Sequence, residues 1–244
     1  MVSDGSSILN DILDDLIADL NSNFLTLLYA IALYQTEPNT IGLYSDDVSI
    51  SPKIGLNLHV EPISIRTLKQ FKLSLPDFLV EQSHARLVRL WTHCLSDLYA
   101  SLIDLHFSGT RDFRTLKKQR IGFDLNSTSS TLDQIKEELV SNFGFIEFND
   151  RQRIIDRELN PDRKGEEALR QISKNVHIRN AIEHRKGVMD AYILKKLGCV
   201  EIDILDNEGH ELHCRNGDIV SVSIPEIHSL MSSIQIMQQI WRGW

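Results

Sequence analysis

The chain has 244 residues, of which 42% are hydrophobic and 25% charged, and its formal net charge is −8 at pH 7. Such a composition is that of an ordinary globular protein and excludes a disordered chain, while the length suffices for one sizeable core. The acidic balance argues against a general nucleic-acid binder, which would normally carry a basic face. From the length we expect a single domain over residues 1–244.

The cysteines and the N-terminal segment bear on the cellular compartment of the protein. Cys94, Cys199 and Cys214 are odd in number and widely spaced, and no charged segment followed by an apolar one opens the chain. No apolar run approaches the length of a membrane span, and the longest, around residues 24–33, is interrupted by Thr26. These features predict a cytoplasmic protein with reduced thiols and without a membrane association.

The first half of the chain predicts two long helices. Apolar residues at helical spacing indicate a helix over 7–34, then an irregular insertion over 36–63 with one or two edge strands, one of them near 55–60. A second helix is predicted over 76–107 as the central core helix, with His84 as a surface or interface group.

The second half predicts helices followed by a small β element. Ser130 and Asp133 form a capping box for a helix to about residue 142, and a short helix over 150–159 precedes the helix Glu166 to Gly187. Residues 199–225 predict a small antiparallel hairpin or three-stranded meander, with a strand over 219–224. A last helix over 225–241 should dock back onto the bundle.

No convincing metal or cofactor site emerges from the pattern. His210, His213 and Cys214 lie close together, but alternation along a strand puts His213 on the face opposite the other two. The chain has no glycine-rich phosphate loop, zinc-protease helix or serine-nucleophile elbow. We expect neither a metal nor a cofactor.

The charge is unevenly distributed along the chain. Residues 1–52 contain eight acidic groups and neither Lys nor Arg, whereas residues 151–186 contain ten basic and six acidic groups, a net charge of +4. Within this basic stretch we expect Lys174, Arg185 and Lys186 to contact RNA. A second basic run, 111–120, is interleaved with Phe113, and it either tracks a phosphate backbone or forms a solvated loop.

The one pointed chemical cluster is Arg179, Asn180 and His184 in the last turns of the predicted helix 166–187. Arg179 and His184 are five residues apart and diverge by about 140° on a helix, so they share a site only in a broad groove. A long Arg side chain can reach into such a groove, and a second copy across a two-fold axis would widen it. An Arg fork for phosphate, a His that moves protons and an Asn amide suffice for metal-free cleavage of RNA.

An alternative assigns these residues no chemistry. Arg179 can pair with Glu183 at the i,i+4 spacing, and His184 can interact with the helix C-terminus. Both the catalytic and the structural interpretation remain open on spacing alone.

The run from His177 to His184, followed by Gly187 and residues 190–194, resembles the signature helix of the HEPN superfamily, in particular the RiboL-PSP-HEPN and MAE-like endoribonucleases. The family motif is Arg, a polar residue, a short spacer and His, which Arg179, Asn180 and His184 match. The resemblance implies a mainly α helical bundle that forms a homodimer and cleaves tRNA or mRNA without a metal. It also implies a toxin–antitoxin or antiviral context, with an antitoxin or defence-system partner protein. The alternative it leaves is a non-catalytic HEPN-like module that dimerises or binds RNA or a partner.

Overall fold

The computed structural model describes residues 5–36, 43–50, 61–113 and 129–242. These ranges confirm a mainly α fold with a small antiparallel β-hairpin near the C-terminus. In chain order the elements are α1 (Gly5–Thr36), β1 (Ser49–Ile50), β2 (Ile63–Ser64), α2 (Ile65–Phe107), α3 (Thr131–Phe145), α4 (Phe148–Leu159), α5 (Glu166–Arg185), α6 (Ala191–Leu197), β3 (Glu201–Leu205), β4 (Glu211–Arg215) and α7 (Ile224–Arg242).

The core is organised around α2, which runs antiparallel to α1 and also packs against α3, α4, α5 and α7. At its centre Trp91 is fully buried, stacks on Trp241 of α7 with ring centroids 5.1 Å apart, and donates from Nε1 to Oε1 of Gln152 in α4. The buried apolar residues of the helices and of the hairpin form one cluster. The predicted docking of the last helix is confirmed, since its apolar stripe is buried: Ile227, Leu230, Met231, Ile234, Met237 and Trp241.

α1 has two kinds of apolar surface. Leu13 and Leu20 are fully buried, whereas Tyr29 and Leu33, near its C-terminal end, are 65% and 66% exposed. By length and composition alone this helix could cross a membrane, because it contains a long apolar stretch of which only 22% is buried. A core helix of a soluble protein passes the same test, so this helix leaves the predicted absence of a membrane association untested.

α2 begins at Ile65, eleven residues before the start that Pro76 indicated, so that prediction was wrong. Ser64 caps the helix by accepting from the Thr67 backbone N–H at 3.1 Å. Pro76 lies inside the helix and cannot donate to the carbonyl of Lys72, one turn earlier. That carbonyl instead accepts a 2.7 Å hydrogen bond from the Tyr34 hydroxyl of α1, so the neighbouring helix supplies the missing donor.

The connection between α2 and α3 is described only in part. Phe113 is buried edge-on against Tyr99, and Arg111 donates from Nη2 to the backbone carbonyl of Glu158. The described part of the predicted basic run therefore packs against the bundle, and residues 114–120 of that run lie outside the described ranges, as does the predicted strand near 55–60. The N-cap half of the predicted capping box is confirmed, because Ser130 Oγ accepts from the Asp133 backbone N–H; the Asp133 carboxylate accepts from the Ser130 hydroxyl.

The β element is a two-stranded hairpin. β3 and β4 pair in antiparallel register from Glu201↔Arg215 to Leu205↔Glu211. The strand predicted over 219–224 is not formed, and within the described chain Ile219 makes only an isolated bridge with Val188. The alternation there has another cause: Val220 and Val222 are buried in the core, and α7 already begins at Ile224.

Candidate functional site

The motif lies at the C-terminal end of α5, which packs against α2, α6 and α7. Its apolar face is buried at Ala168, Ile172, Val176, Ile178 and Ala181. This face holds the helix against the bundle, so that the last turn, including His184, projects towards solvent.

The end of α5 is fixed by two residues in the left-handed region, Lys186 with φ 54° and Gly187 with φ 79°. The backbone N–H groups of both donate to the carbonyl of Ala181, and the Gly187 carbonyl accepts from Val220 at 2.9 Å. A Cβ on residue 187 would lie 3.0 Å from the Val220 carbonyl oxygen, so glycine is required by the close approach as well as by its φ. The motif turn is thereby tied to the segment that precedes α7.

Arg179 and His184 converge on one carboxylate oxygen. Arg179 Nη2 lies 2.5 Å from Glu183 Oε2, and His184 Nε2 lies 4.0 Å from the same atom. The helical divergence of their Cα–Cβ directions is overcome by the length of the Arg side chain. The structure therefore brings the two predicted site residues together within one chain, around an anionic oxygen.

The three motif side chains differ in how firmly they are held. Arg179 also donates from Nη1 to Asn180 Oδ1 at 3.1 Å, while its buried Nε has no hydrogen-bond partner in the described part of the chain. The His184 side chain is 67% exposed, compared with 26% for Arg179. Within the described ranges, the 4.0 Å approach to Glu183 is the one ion-pair contact His184 makes. His184 is thus accessible, and Arg179 is oriented by its two neighbours.

The predicted Arg179–Glu183 pair is present, so the structural alternative describes this arrangement correctly as far as Arg179 is concerned. Through this pair the Arg179 guanidinium already holds a carboxylate oxygen of its own helix.

Beneath the motif lies a buried polar network that the sequence did not indicate. His84 of α2 is 1% exposed, and its Nε2 bonds to Asn175 Oδ1 at 2.8 Å. Asn175 Nδ2 donates to Glu226 Oε1 and to the Gln171 carbonyl, so its Oδ1 is left to accept and His84 Nε2 must donate. The prediction of His84 as a surface or interface group was wrong.

Burial lowers the pKa of His84 below its ordinary value of 6.5, against the raising effects of the Asn175 hydrogen bond and the Glu226 charge. Arg179 and Glu183 also act electrostatically on this imidazole, the former lowering and the latter raising its pKa. His84 therefore lies close enough to the motif to interact with it electrostatically, and burial favours its neutral form.

The three predicted RNA contacts have different surroundings. Lys174 points inwards: its side chain is 13% exposed, its Nζ lies 3.0 Å from Glu226 Oε1, and it donates to the Asp203 carbonyl at 2.6 Å. Arg185 pairs with Asp190 and lies 5.6 Å from the Tyr192 ring centroid. Lys186 is exposed. The placement of Lys174 differs from the surface position expected for it, because the Glu226 carboxylate draws the ammonium inwards.

The hairpin side chains that suggested a metal are committed to other contacts. His213 Nδ1 lies 2.5 Å from Asp203 Oδ1, and this hydrogen bond raises the pKa of His213. Cys214 is buried on the other face, and burial raises the pKa of its thiol. Among the described residues no group of three His, Cys, Asp or Glu side chains is arranged to hold a metal ion.

The motif segment, residues 177–194, comprises the end of α5, the following turn and the first half of α6. Comparison of the chain with protein-family models, with curated proteins and with solved structures found no significant match in any of the three.

Proposed function

We propose that this protein is a metal-independent endoribonuclease of a defence or toxin type, with His184 as the acid–base group and Arg179 on the phosphate. The observation that carries the proposal is the convergence of both side chains on Glu183 Oε2. A phosphate oxygen of RNA in place of that carboxylate oxygen would meet the Arg fork and a proton-transferring imidazole together.

The proposed reaction uses the RNA's own 2′-hydroxyl as the nucleophile. Its oxygen forms a bond to the adjacent phosphorus while the bond from phosphorus to the 5′-oxygen of the next nucleotide breaks, giving a 2′,3′-cyclic phosphate and a 5′-hydroxyl. One proton must leave the 2′-hydroxyl and one must reach the departing 5′-oxygen, and the proposal assigns such a transfer to the exposed imidazole of His184. Arg179 stabilises the additional charge on the phosphate, and the Asn180 amide orients the guanidinium.

We also propose a homodimer, in which a second copy would supply a second His184 for the opposite proton transfer. Exposed apolar side chains surround the end of α5 and support such a contact. Ile219 is 75% exposed beside Gly187. Tyr192, whose ring Arg185 covers, is also largely exposed.

The same proposal places the protein in the cytoplasm with tRNA or mRNA as substrate, and with an antitoxin or defence-system protein as partner. Three free cysteines support a reducing compartment.

A second candidate is a non-catalytic module that dimerises or binds RNA or a partner. The 2.5 Å Arg179–Glu183 ion pair favours it, because a fork already bound to a carboxylate must release it before holding phosphate. The competing carboxylate also lies directly beside the histidine, where it repels RNA.

The two candidates separate in one cleavage assay. Purified wild type, His184→Ala and Arg179→Ala are incubated with total tRNA and with mRNA in EDTA, and we expect cleavage by the wild type alone. The expected loss for an acid–base group is about 10²–10⁴-fold. His210→Ala is the matched control, because His210 is similarly exposed, on the hairpin, and should cleave as wild type does. A wild type that cleaves nothing, or a His184→Ala variant as active as wild type, leaves the binding module in place of the nuclease.

A further inference from the structure

A basic cavity of about 400 Å³ lies between α4 and the N-terminal half of α5. Its cationic lining consists of Arg153 and Arg157 from α4, Arg163 from the connecting turn, Arg170 from α5 and Lys196 from α6. Two acidic residues, Asp156 and Glu166, also line it, so the cations outnumber the anions in a chain whose net charge is negative. The size lies within the range of ligand pockets.

Of the five lining cations, three are ion-paired and two have no acidic partner among the described residues. Arg153 pairs with Asp150 at 3.4 Å, and Lys196 pairs with Glu147 at 2.6 Å. Arg157 and Arg163 form no ion pair with the acidic groups of the described residues, and Arg170 meets Glu167 only at 3.5 Å on the exposed surface. On the acidic side, Asp156 is held by other donors: its Oδ1 accepts from Trp241 Nε1 and from Asn160 Nδ2. The cavity therefore presents guanidinium forks, which match phosphate oxygens in geometry as well as charge.

A second cavity of about 440 Å³ continues the first, because both are lined by Asn149, Arg153 and Lys196. Its far side is formed by Lys195 and by Tyr192, a residue that is 59% exposed. The carboxylates of Glu147 and Asp150 also line it, paired with Lys196 and Arg153. The Lys196 ammonium lies 5.5 Å from the Tyr192 ring centroid, so a nucleic-acid base stacks on this ring only where the cations over it move aside.

The two cavities lead towards the motif. The guanidinium of Arg185, the residue after His184, lies 5.6 Å from the Tyr192 ring centroid. The groove thus begins beside Arg163 and Arg170, near the start of α5, and ends beside the residues that follow the motif. Between Arg170 and His184 the helix rises about 21 Å at 1.5 Å per residue, enough for several successive phosphates.

We propose that these two cavities, defined as the α4–α5 groove, bind the phosphate backbone of a single RNA strand and lead it to Arg179 and His184. The inference rests on the proposed function for the identity of its ligand. It differs from the expected contacts at Lys174, Arg185 and Lys186, because the charge that binds the strand comes chiefly from α4 and from the turn before α5.

The test measures binding without cleavage. A fluorescent 2′-O-methyl RNA of about 12 nucleotides, within the size of known single-strand sites, has no free 2′-hydroxyl to attack and is titrated with the full chain over a series of salt concentrations. Arg157→Gln/Arg163→Gln removes the two groove cations without an acidic partner. Arg86→Gln/Arg89→Gln removes two exposed cations of α2 that line neither cavity and serves as the charge-matched control.

For single strands each phosphate contact contributes about 0.7 to the slope of log K against log salt, so the groove variant should lose about 1.4 of slope and on the order of 20-fold in affinity at 0.1 M salt. The control should keep the wild-type slope. Equal slopes for the two double variants, or no binding by the wild type, would overturn the groove. A wild type that binds with the expected slope change but cleaves no natural RNA removes the nuclease proposal and supports the groove.

Discussion

Replacement of Lys174 by Met separates an internal role for this lysine from an RNA contact. Its ammonium lies among the oxygens of Glu226 and the Asp203 carbonyl, with 13% of the side chain exposed, and the Glu226 side chain is 1% exposed. Methionine keeps the apolar stem and removes the charge. The carboxylate of Glu226 then remains buried without its cation.

The size of the stability loss depends on the hydrogen bonds that the Glu226 carboxylate retains. Without Lys174, Glu226 still accepts from Gln171 Nε2, Asn175 Nδ2 and the Leu205 backbone N–H at 2.8–3.0 Å. Breaking a buried ion pair from one side costs about 3–5 kcal/mol, and the three remaining donors favour the lower end, about 3 kcal/mol. For a domain of this size the melting temperature should fall by roughly 6–12 °C.

Urea unfolding of the wild type, Lys174→Met and Lys186→Met measures this loss. Lys186 is the matched control, since it is an exposed lysine on the same segment, and its loss should cost no more than about 0.5 kcal/mol. If both variants unfold at the same urea concentration as the wild type, Lys174 is not part of a buried network. A Lys174→Met protein of full stability and weakened RNA binding would restore the sequence-based assignment.

Three further outcomes follow from named contacts. Glu183→Gln should strengthen the binding of 2′-O-methyl RNA by roughly 5-fold, because it removes one partly exposed ion pair that competes with phosphate for Arg179. Fluorescence anisotropy measures the Kd, and an unchanged Kd would show that the pair does not compete with phosphate. Tyr34→Phe should lower the free energy of unfolding in urea by about 1 kcal/mol. In a Pro76→Ala background the same substitution should cost less, because the alanine supplies a backbone N–H to the Lys72 carbonyl. Strictly additive losses would contradict the hydrogen bond from Tyr34. Stability should fall as the pH drops below about 6.5, because the unfolded chain protonates His84 while burial lowers its pKa in the folded state, and a pH slope unchanged in His84→Gln would refute this.

Local signals predicted much of the helical framework. The apolar stripe of α7 was visible because every member follows the helical period, and the Ser130 capping box was visible because its partners are three residues apart. The mainly α class with a small hairpin follows from these signals. Each depends on residues that are close together in the sequence.

The sequence-based predictions were wrong where a residue distant in the sequence determines the local structure. Pro76 normally marks a helix start, but the Tyr34 hydroxyl of another helix satisfies the carbonyl that proline leaves free. His84 and Lys174 were placed at the surface because they are polar, and no local pattern shows that Glu226 and Asn175 meet them inside the bundle. Buried polar pairs over such separations leave no periodic signature.

The sequence predicted the motif residues Arg179, Asn180 and His184, but it did not predict how their side chains are arranged. Helical angles describe the Cα–Cβ directions, which diverge, whereas the long Arg side chain returns to the Glu183 oxygen that His184 also approaches. The α4–α5 groove was missed because Arg157 and Arg163 were counted in a stretch of charge without a place in the fold.

The most direct test of the proposed chemistry is the identity of the product ends. Wild type and His184→Ala are incubated in EDTA with an RNA and with its all-deoxy counterpart, and the fragments are analysed by mass spectrometry. We expect the wild type to cleave only the RNA, leaving 2′,3′-cyclic phosphate and 5′-hydroxyl ends, and His184→Ala to leave it intact. Cleavage of both strands, fragments ending in a 3′-hydroxyl, or the same cyclic ends from His184→Ala would contradict the assignment of His184 to proton transfer at the 2′-hydroxyl or the leaving oxygen.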